Sequence, residues 1–200
     1  MLTVDDLRGA IARLAAAMDL AFDALNTADG ALGDGDLGVT MKRGTGAMAE
    51  LGPGLPDDLG MALLACAQAF TKTSGSSYGT LMATGLMAMA KQLRGKTSVE
   101  AAEVSALIAL ARDAMQARGK AELGGKTVLD SLDAMARATA GLTDQAALAN
   151  AAAQAAAQAQ ADLKGKIATI GRARIFGEKT IGMDDPGMMA MTAIAAAIRG

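Results

Sequence analysis

Histidine is absent from this 200-residue chain, and that absence excludes more chemistry than any other count. No Ser-His-Asp or Cys-His catalysis can operate, no histidine can hold zinc, and the chain cannot form its own phosphohistidine. Tryptophan is absent too, and with one Tyr and three Phe the aromatics reach only 2% of a chain that is 52% hydrophobic. Cys66 stands alone, so no internal disulfide forms. No apolar run reaches the roughly 18 residues of a membrane span, and the first residues are acidic where a secretion signal is basic. The net charge of −2 argues against a surface that neutralises nucleic-acid phosphates. These absences leave the expectation of a cytoplasmic protein with no nucleic-acid or membrane partner. Its chemistry must rest on carboxylates, Lys, Arg, hydroxyls, backbone amides and a hard cation.

Alanine and methionine dominate what is present, and β-branched residues are sparse. Alanine is the best helix former and lets helices approach closely, so composition points to an all-α protein. Hydrophobic periodicity places about eight helices in one domain over residues 1–200. The first is capped by Thr3, carries Asp5 and Asp6 in its opening turn and runs to about residue 26. Later helices follow near 37–51, 58–72 and 77–93, then one capped by Ser98 with Glu100 in its first turn. The sixth covers about 127–140, and Thr143 caps a seventh ending near 164. The eighth takes Asp185 as cap and Pro186 at its first position. The Ala/Gln tract at 151–161 reads as a helix packed closely on a neighbour. Residues 166–184 lack helical period and form a long irregular connection, the kind of segment that often carries function.

Short connections make successive helices antiparallel, so the even-numbered helices all begin at one end of an up-and-down barrel. Four unusual segments, at 29–38, 74–80, 124–130 and 171–187, lie just before those starts. One rim then gathers all four segments and four helix N-termini, whose free N–H groups favour anions. In Asp29-Gly-Ala-Leu-Gly-Asp34-Gly-Asp36-Leu-Gly38 the aspartate spacings of five and two do not fit one helical face, so a loop must gather them. Three converging carboxylates repel one another unless a cation sits between them, and magnesium suits such oxygen donors. Taken alone, the segment reads equally as an exposed Asp/Gly turn. The stretch Ser74-Gly75-Ser76-Ser77-Tyr78-Gly79-Thr80 offers hydroxyls and amides to phosphate oxygens, or simply caps a helix. Lys126 sits beside the Gly124-Gly125 turn, where a solvated surface lysine is the plainer alternative. Arg172 suits a phosphate, and equally suits a salt bridge with Glu178. Cys66 lies in an apolar helix with nothing to activate it and belongs to the core.

Two patterns mislead. Gly33, Gly35 and Gly38 satisfy G-x-G-x-x-G, but a helix precedes them and two aspartates in the loop would repel a bare pyrophosphate. Gly125-Lys126-Thr127 resembles the end of a Walker A loop, yet Lys120 occupies the required upstream glycine position.

At these four segments the chain resembles the nucleotide-binding L subunit of dihydroxyacetone kinase and the equivalent C-terminal domain of single-chain ATP-dependent kinases. The family pattern Asp-x-x-Ile/Leu-Gly-Asp-Gly-Asp-His-Gly is met over residues 29–38 except at the histidine. Ser-Gly-x-x-Tyr-Gly-Thr matches 74–80, Lys-Thr-x-Leu-Asp matches 126–130, and Gly-Arg-Ala with a later Asp-Pro-Gly matches 171–187. The resemblance implies a barrel of eight antiparallel α-helices with ADP or ATP at one end, and Asp29, Asp34 and Asp36 on magnesium ions that bridge its phosphates. The candidate nucleotide contacts are Gly38, Ser74, Gly75, Lys126, Thr127, Arg172, Asp185 and Gly187, with Arg172 as the catalytic residue. Leu37 and Met183 replace histidines frequent in the family and Lys179 replaces an arginine, which cannot be matched contact for contact. Family kinases hold the sugar through a histidine on a K-type subunit, so the resemblance implies a phosphotransferase subunit that needs a K-type partner. Phosphate then comes either from exchanging ATP or from a phosphohistidine-carrying phosphotransferase subunit that recharges bound ADP. The alternative is a nucleotide-sensing regulatory subunit without phosphotransfer.

Overall fold

The computed structural model describes residues 1–73 and 75–200. Its first helix, α1 (Val4–Leu32), opens where the backbone N–H and hydroxyl of Thr3 both donate to Asp6 Oδ2, at 2.8 and 2.9 Å. Those bonds hold the Asp6 carboxyl below its ordinary value. Along α1 the buried side chains are Val4, Ile11, Met18, Leu25 and Leu32, one every seven residues. Two helical turns nearly equal seven residues, so this repeat keeps a single narrow stripe against the interior.

The chain continues as α2 (Leu37–Leu51), α3 (Leu59–Thr73), α4 (Ser77–Gln92), α5 (Ala101–Gly119), α6 (Val128–Thr139), α7 (Gln145–Leu163) and α8 (Pro186–Arg199). Each helix packs on its chain neighbours, and α8 returns to α1 to close the ring. The fold is all-α, as composition suggested. Methionines fill the interior where rigid aromatics are lacking: Met18, Met41, Met115 and Met188 are all buried. Phe70 is buried against Gly44, where any Cβ would overlap its ring. Cys66 is buried in α3, and burial pushes its thiol up to about 11. The Ala/Gln tract lies in α7, which packs between α6 and α8 with Ala152, Ala153 and Ala156 buried.

Three boundaries differ from the sequence expectation. Helix α1 does not stop near residue 26 but runs to Leu32 and so carries Asp29. Ser98 is not a helix cap: with Val99 it forms β2 (Ser98–Val99), paired antiparallel to β1 (Leu2–Thr3) with Leu2 opposite Val99. The cap of α5 is Glu100, answered by Glu103 in a reciprocal pair. The cap of α7 is Asp144, one residue beyond Thr143, and its Oδ1 accepts from the Ala147 N–H at 2.8 Å. Asp144→Ala should therefore cost about 1 kcal/mol in urea unfolding, with the same slope against denaturant as the parent. After α7 the connection is irregular, then winds into 3-10 turns over Ala173–Thr180 that kink at Gly177. Among the described residues no helix is long and apolar enough to cross a membrane.

Candidate functional site

The starts of α2, α4, α6 and α8 do meet at one end, around a cavity of about 1080 Å³. Asp36, Ser77, Thr127 and Asp185 line it from those four starts, so the parity argument placed the rim correctly. Leu81, Met115, Val128 and Leu129 form an apolar part of its wall, while Arg43, Arg118, Lys120, Arg172 and Arg174 place positive charge around it.

At one side Asp29, Asp34 and Asp36 each offer a carboxylate oxygen, and these oxygens lie within 4.8 Å of one another. Asp29 projects from the last turn of α1, and the chain reverses through Gly35 at φ +77°. Asp29 Oδ2 accepts from the N–H groups of Asp36 and Leu37, at 2.9 and 3.2 Å. These are amides that the opening turn of α2 leaves without helical partners. Asp36 stands at the cap position of α2 yet makes no cap hydrogen bond. Burial, then the charges of Asp34 and Asp29, push the Asp36 carboxyl above its ordinary value. Arg172 forms an ion pair with Asp34, and that contact raises its own guanidinium further. Three hard oxygen donors at this separation fit a magnesium ion, whose remaining positions water and phosphate oxygens can fill.

The other expected contacts divide into two groups. Gly75, Thr127, Asp185 and Gly187 line the cavity with Arg172. Ser74 lies outside the described residues. The next serine, Ser76, caps α4 by accepting from the Gly79 N–H at 3.0 Å. Thr127 caps α6 in a reciprocal pair with Asp130, which also accepts from the Gly124 N–H at 2.5 Å. Asp185 caps α8 through the Met188 N–H at 2.8 Å, and burial pushes its carboxyl up to about 6. The Tyr78 hydroxyl donates to the Gly187 carbonyl at 3.1 Å, joining the starts of α4 and α8.

Gly38 and Lys126, also expected at the nucleotide, do not line the cavity. Gly38 is buried between α1 and α2, where a Cβ would strike the Phe22 carbonyl. Lys126 is buried, and its ammonium donates to the carbonyls of Lys164 and Lys166 at 3.0 Å each and of Thr180 at 2.7 Å. That burial excludes the solvated-surface alternative. Arg172 pairs with Asp34 and not with Glu178. Of the departures from the family pattern, Leu37 is buried in the main core, and Met183 packs with Leu32, Ala168, Ala173 and Phe176.

Sequence reasoning missed Thr40 and Arg43, although Asp36, Thr40 and Arg43 recur at four and three residues, one face of α2. Arg118 and Lys120 lie outside the four segments, and Arg174 lies within the fourth but was not among the expected contacts.

With the geometry in place, comparison with known proteins is decisive: the DAK2 domain model matches residues 31–200. The chain belongs to the DAK2 domain family. This DAK2 chain is 32% identical over 164 residues to the ADP-binding subunit DhaL of the PTS-dependent dihydroxyacetone kinase of Lactococcus lactis, covering 82% of this chain and 79% of the relative. It is 30% identical to the ADP-binding DhaL subunit of the PEP-dependent kinase of Escherichia coli, over 84% of this chain and 85% of the relative. It is 36% identical to human triokinase/FMN cyclase over 87% of this chain, but spans only 31% of that protein. The crystal structure of dihydroxyacetone kinase from C. freundii in complex with AMP-PNP and Mg²⁺ superimposes with a TM-score of 0.75 at 23% identity. That match covers 96% of this DAK2 chain and 33% of the other, and establishes the fold.

Proposed function

We propose that this chain is the ADP- or ATP-binding phosphotransferase subunit of a kinase for dihydroxyacetone or a related small ketose, passing phosphate to sugar held on a separate K-type subunit. The observation that carries the reading is the aspartate cluster, paired with Arg172, in the lining of a cavity with four helix starts. The DhaL relatives, described as ADP-binding subunits of dihydroxyacetone kinases, support it over most of their length.

Phosphoryl transfer needs positioning and charge stabilisation more than covalent help from the protein. Magnesium on Asp29, Asp34 and Asp36 would neutralise phosphate oxygens and fix their orientation. Arg172 is the cation placed to move from Asp34 to a transferring phosphoryl group, and the amides at the starts of α4, α6 and α8 add fixed partial charge. The apolar wall of Leu81, Met115 and Leu129 suits a nucleobase. With no histidine in the chain, the sugar and the base that activates it belong to the partner. One of these relatives is described as PTS-dependent and the other as PEP-dependent, which favours recharging of bound ADP by a phosphohistidine-carrying subunit over exchange with ATP. ADP that stays bound through dialysis is the outcome that would support that route.

Calorimetric titration of nucleotide-stripped protein with ADP, with and without Mg²⁺, tests the core of the proposal. Binding that appears only with Mg²⁺ is expected. Equal heats with and without the metal would refute it.

A further inference from the structure

The 164–182 segment is a long loop whose ends meet. The Gly182 N–H donates to the Lys164 carbonyl at 2.9 Å, closing its neck. Inside it, the Thr180 hydroxyl accepts from the Ala168 N–H at 2.9 Å and donates to the Gly177 carbonyl at 2.7 Å. The loop seats Ala168, Ala173 and Phe176 on Leu32, at the end of α1, and Met183, just past the neck, joins the same cluster. Its far edge carries Ile170, Gly171, Arg172 and Arg174 into the wall of the cavity. Lys126 reaches the neck from outside, through the turn before α6. All three of its donors are used, two on the strand that enters the loop and one on the strand that leaves. Its own backbone sits at φ +62°, rare for a residue with a side chain. Next to it the Gly125 carbonyl accepts from the Thr169 N–H at 3.3 Å, and a Cβ at Gly125 would run into Ile170. A buried ammonium is tolerated only when its hydrogens are satisfied, so this one fixes the spacing of three carbonyls that would otherwise separate.

Building on the nucleotide reading above, we propose that Lys126 is a positioning residue for the reaction: it clamps the neck of the 164–182 loop and thereby holds Arg172 over the aspartate cluster. It touches no phosphate. Its effect on nucleotide binding passes through Arg172, and this distinguishes it from a lysine that binds phosphate directly and from one that merely stabilises the fold.

The loop contains Lys166, Arg172, Arg174 and Lys179, each a trypsin site. In full-length Lys126→Met, well below its melting temperature, cleavage at these bonds should rise about tenfold, matching roughly 1.4 kcal/mol of lost closure. Mg–ADP affinity should fall to that of Arg172→Met, and the Lys126→Met/Arg172→Met double variant should be no weaker than Arg172→Met alone. Cleavage unchanged from wild type, or losses that add in the double variant, would overturn the proposal. If Lys126→Met does not fold, Lys126→Gln keeps an amide donor at the neck and should give the same pattern, weaker in both readouts. A wild-type protein that fails to bind Mg–ADP would reject the nucleotide reading instead, and the trypsin comparison would still decide whether Lys126 closes the loop.

Discussion

Asp34→Asn is expected to weaken Mg–ADP binding by about 100-fold or more, since groups that only support metal ligands already change metal affinity by about 10–100-fold. The substitution keeps the shape of the side chain and a carbonyl oxygen for Arg172 while removing one of three charges. Folding should hardly suffer. The Asp34–Arg172 pair is exposed on both sides, and such pairs contribute little. The Asp36 carboxyl is raised above 3.8 partly by the charge of Asp34. A raised carboxyl favours the protonated fold, so its contribution is complete below the unfolded value and is lost as pH climbs through the raised one. At neutral pH without Mg²⁺ the charge on Asp36 therefore works against the fold, and Asp34→Asn, which removes a charge beside it, should melt no lower than the parent. Mg²⁺ and ADP at concentrations that saturate the parent should raise its melting temperature and raise that of the variant far less. Calorimetry and thermal melts read both effects, and a variant that binds within about threefold of wild type would remove the aspartates from the site.

How much of this could be read in advance follows from which forces are local. Helix number and the shared rim were legible because alternation of antiparallel helices needs only periodicity and short connections. The cluster of Asp29, Asp34 and Asp36 was legible in composition but not in mechanism. Asp29 was expected on a loop, whereas it sits on α1 and is fixed by accepting the first amides of α2, a tertiary bond that no spacing reveals. The burial of Lys126 was not legible because its partners are carbonyls about 40 and 54 residues away, and carbonyls carry no signature in a sequence. Ser98 was taken for a cap since its chemistry suits one, but pairing with Thr3 drew it into β2 and left the cap to Glu100. Thr40 and Arg43 could have been found by continuing the helical face that begins at Asp36.

Gly38→Ala should destabilise the protein by about 3 kcal/mol, the upper end of what inserting one carbon into a packed interior costs. A Cβ there would collide with the Phe22 carbonyl and lie 2.7 Å from Asn26 Oδ1. The first obstacle is backbone, so relief requires α1 and α2 to separate. Asn26 Oδ1 accepts the Val39 N–H at 3.2 Å, one turn from the Asp29 bonds to Asp36 and Leu37. The same separation that relieves the clash therefore pulls Asp36 away from Asp29, and nucleotide binding should weaken in protein that is still folded. Gly46 lies on the same helix with nothing within 4 Å of its added carbon. Gly46→Ala should gain about 0.5–1 kcal/mol from helix preference alone and leave binding unchanged. Urea unfolding of the two variants, followed by Mg–ADP titration of the folded fractions, separates close helix approach from helix preference. Equal stabilities would show that α1 and α2 do not need the glycine contact, and unimpaired binding in Gly38→Ala would show that the aspartate cluster does not depend on it.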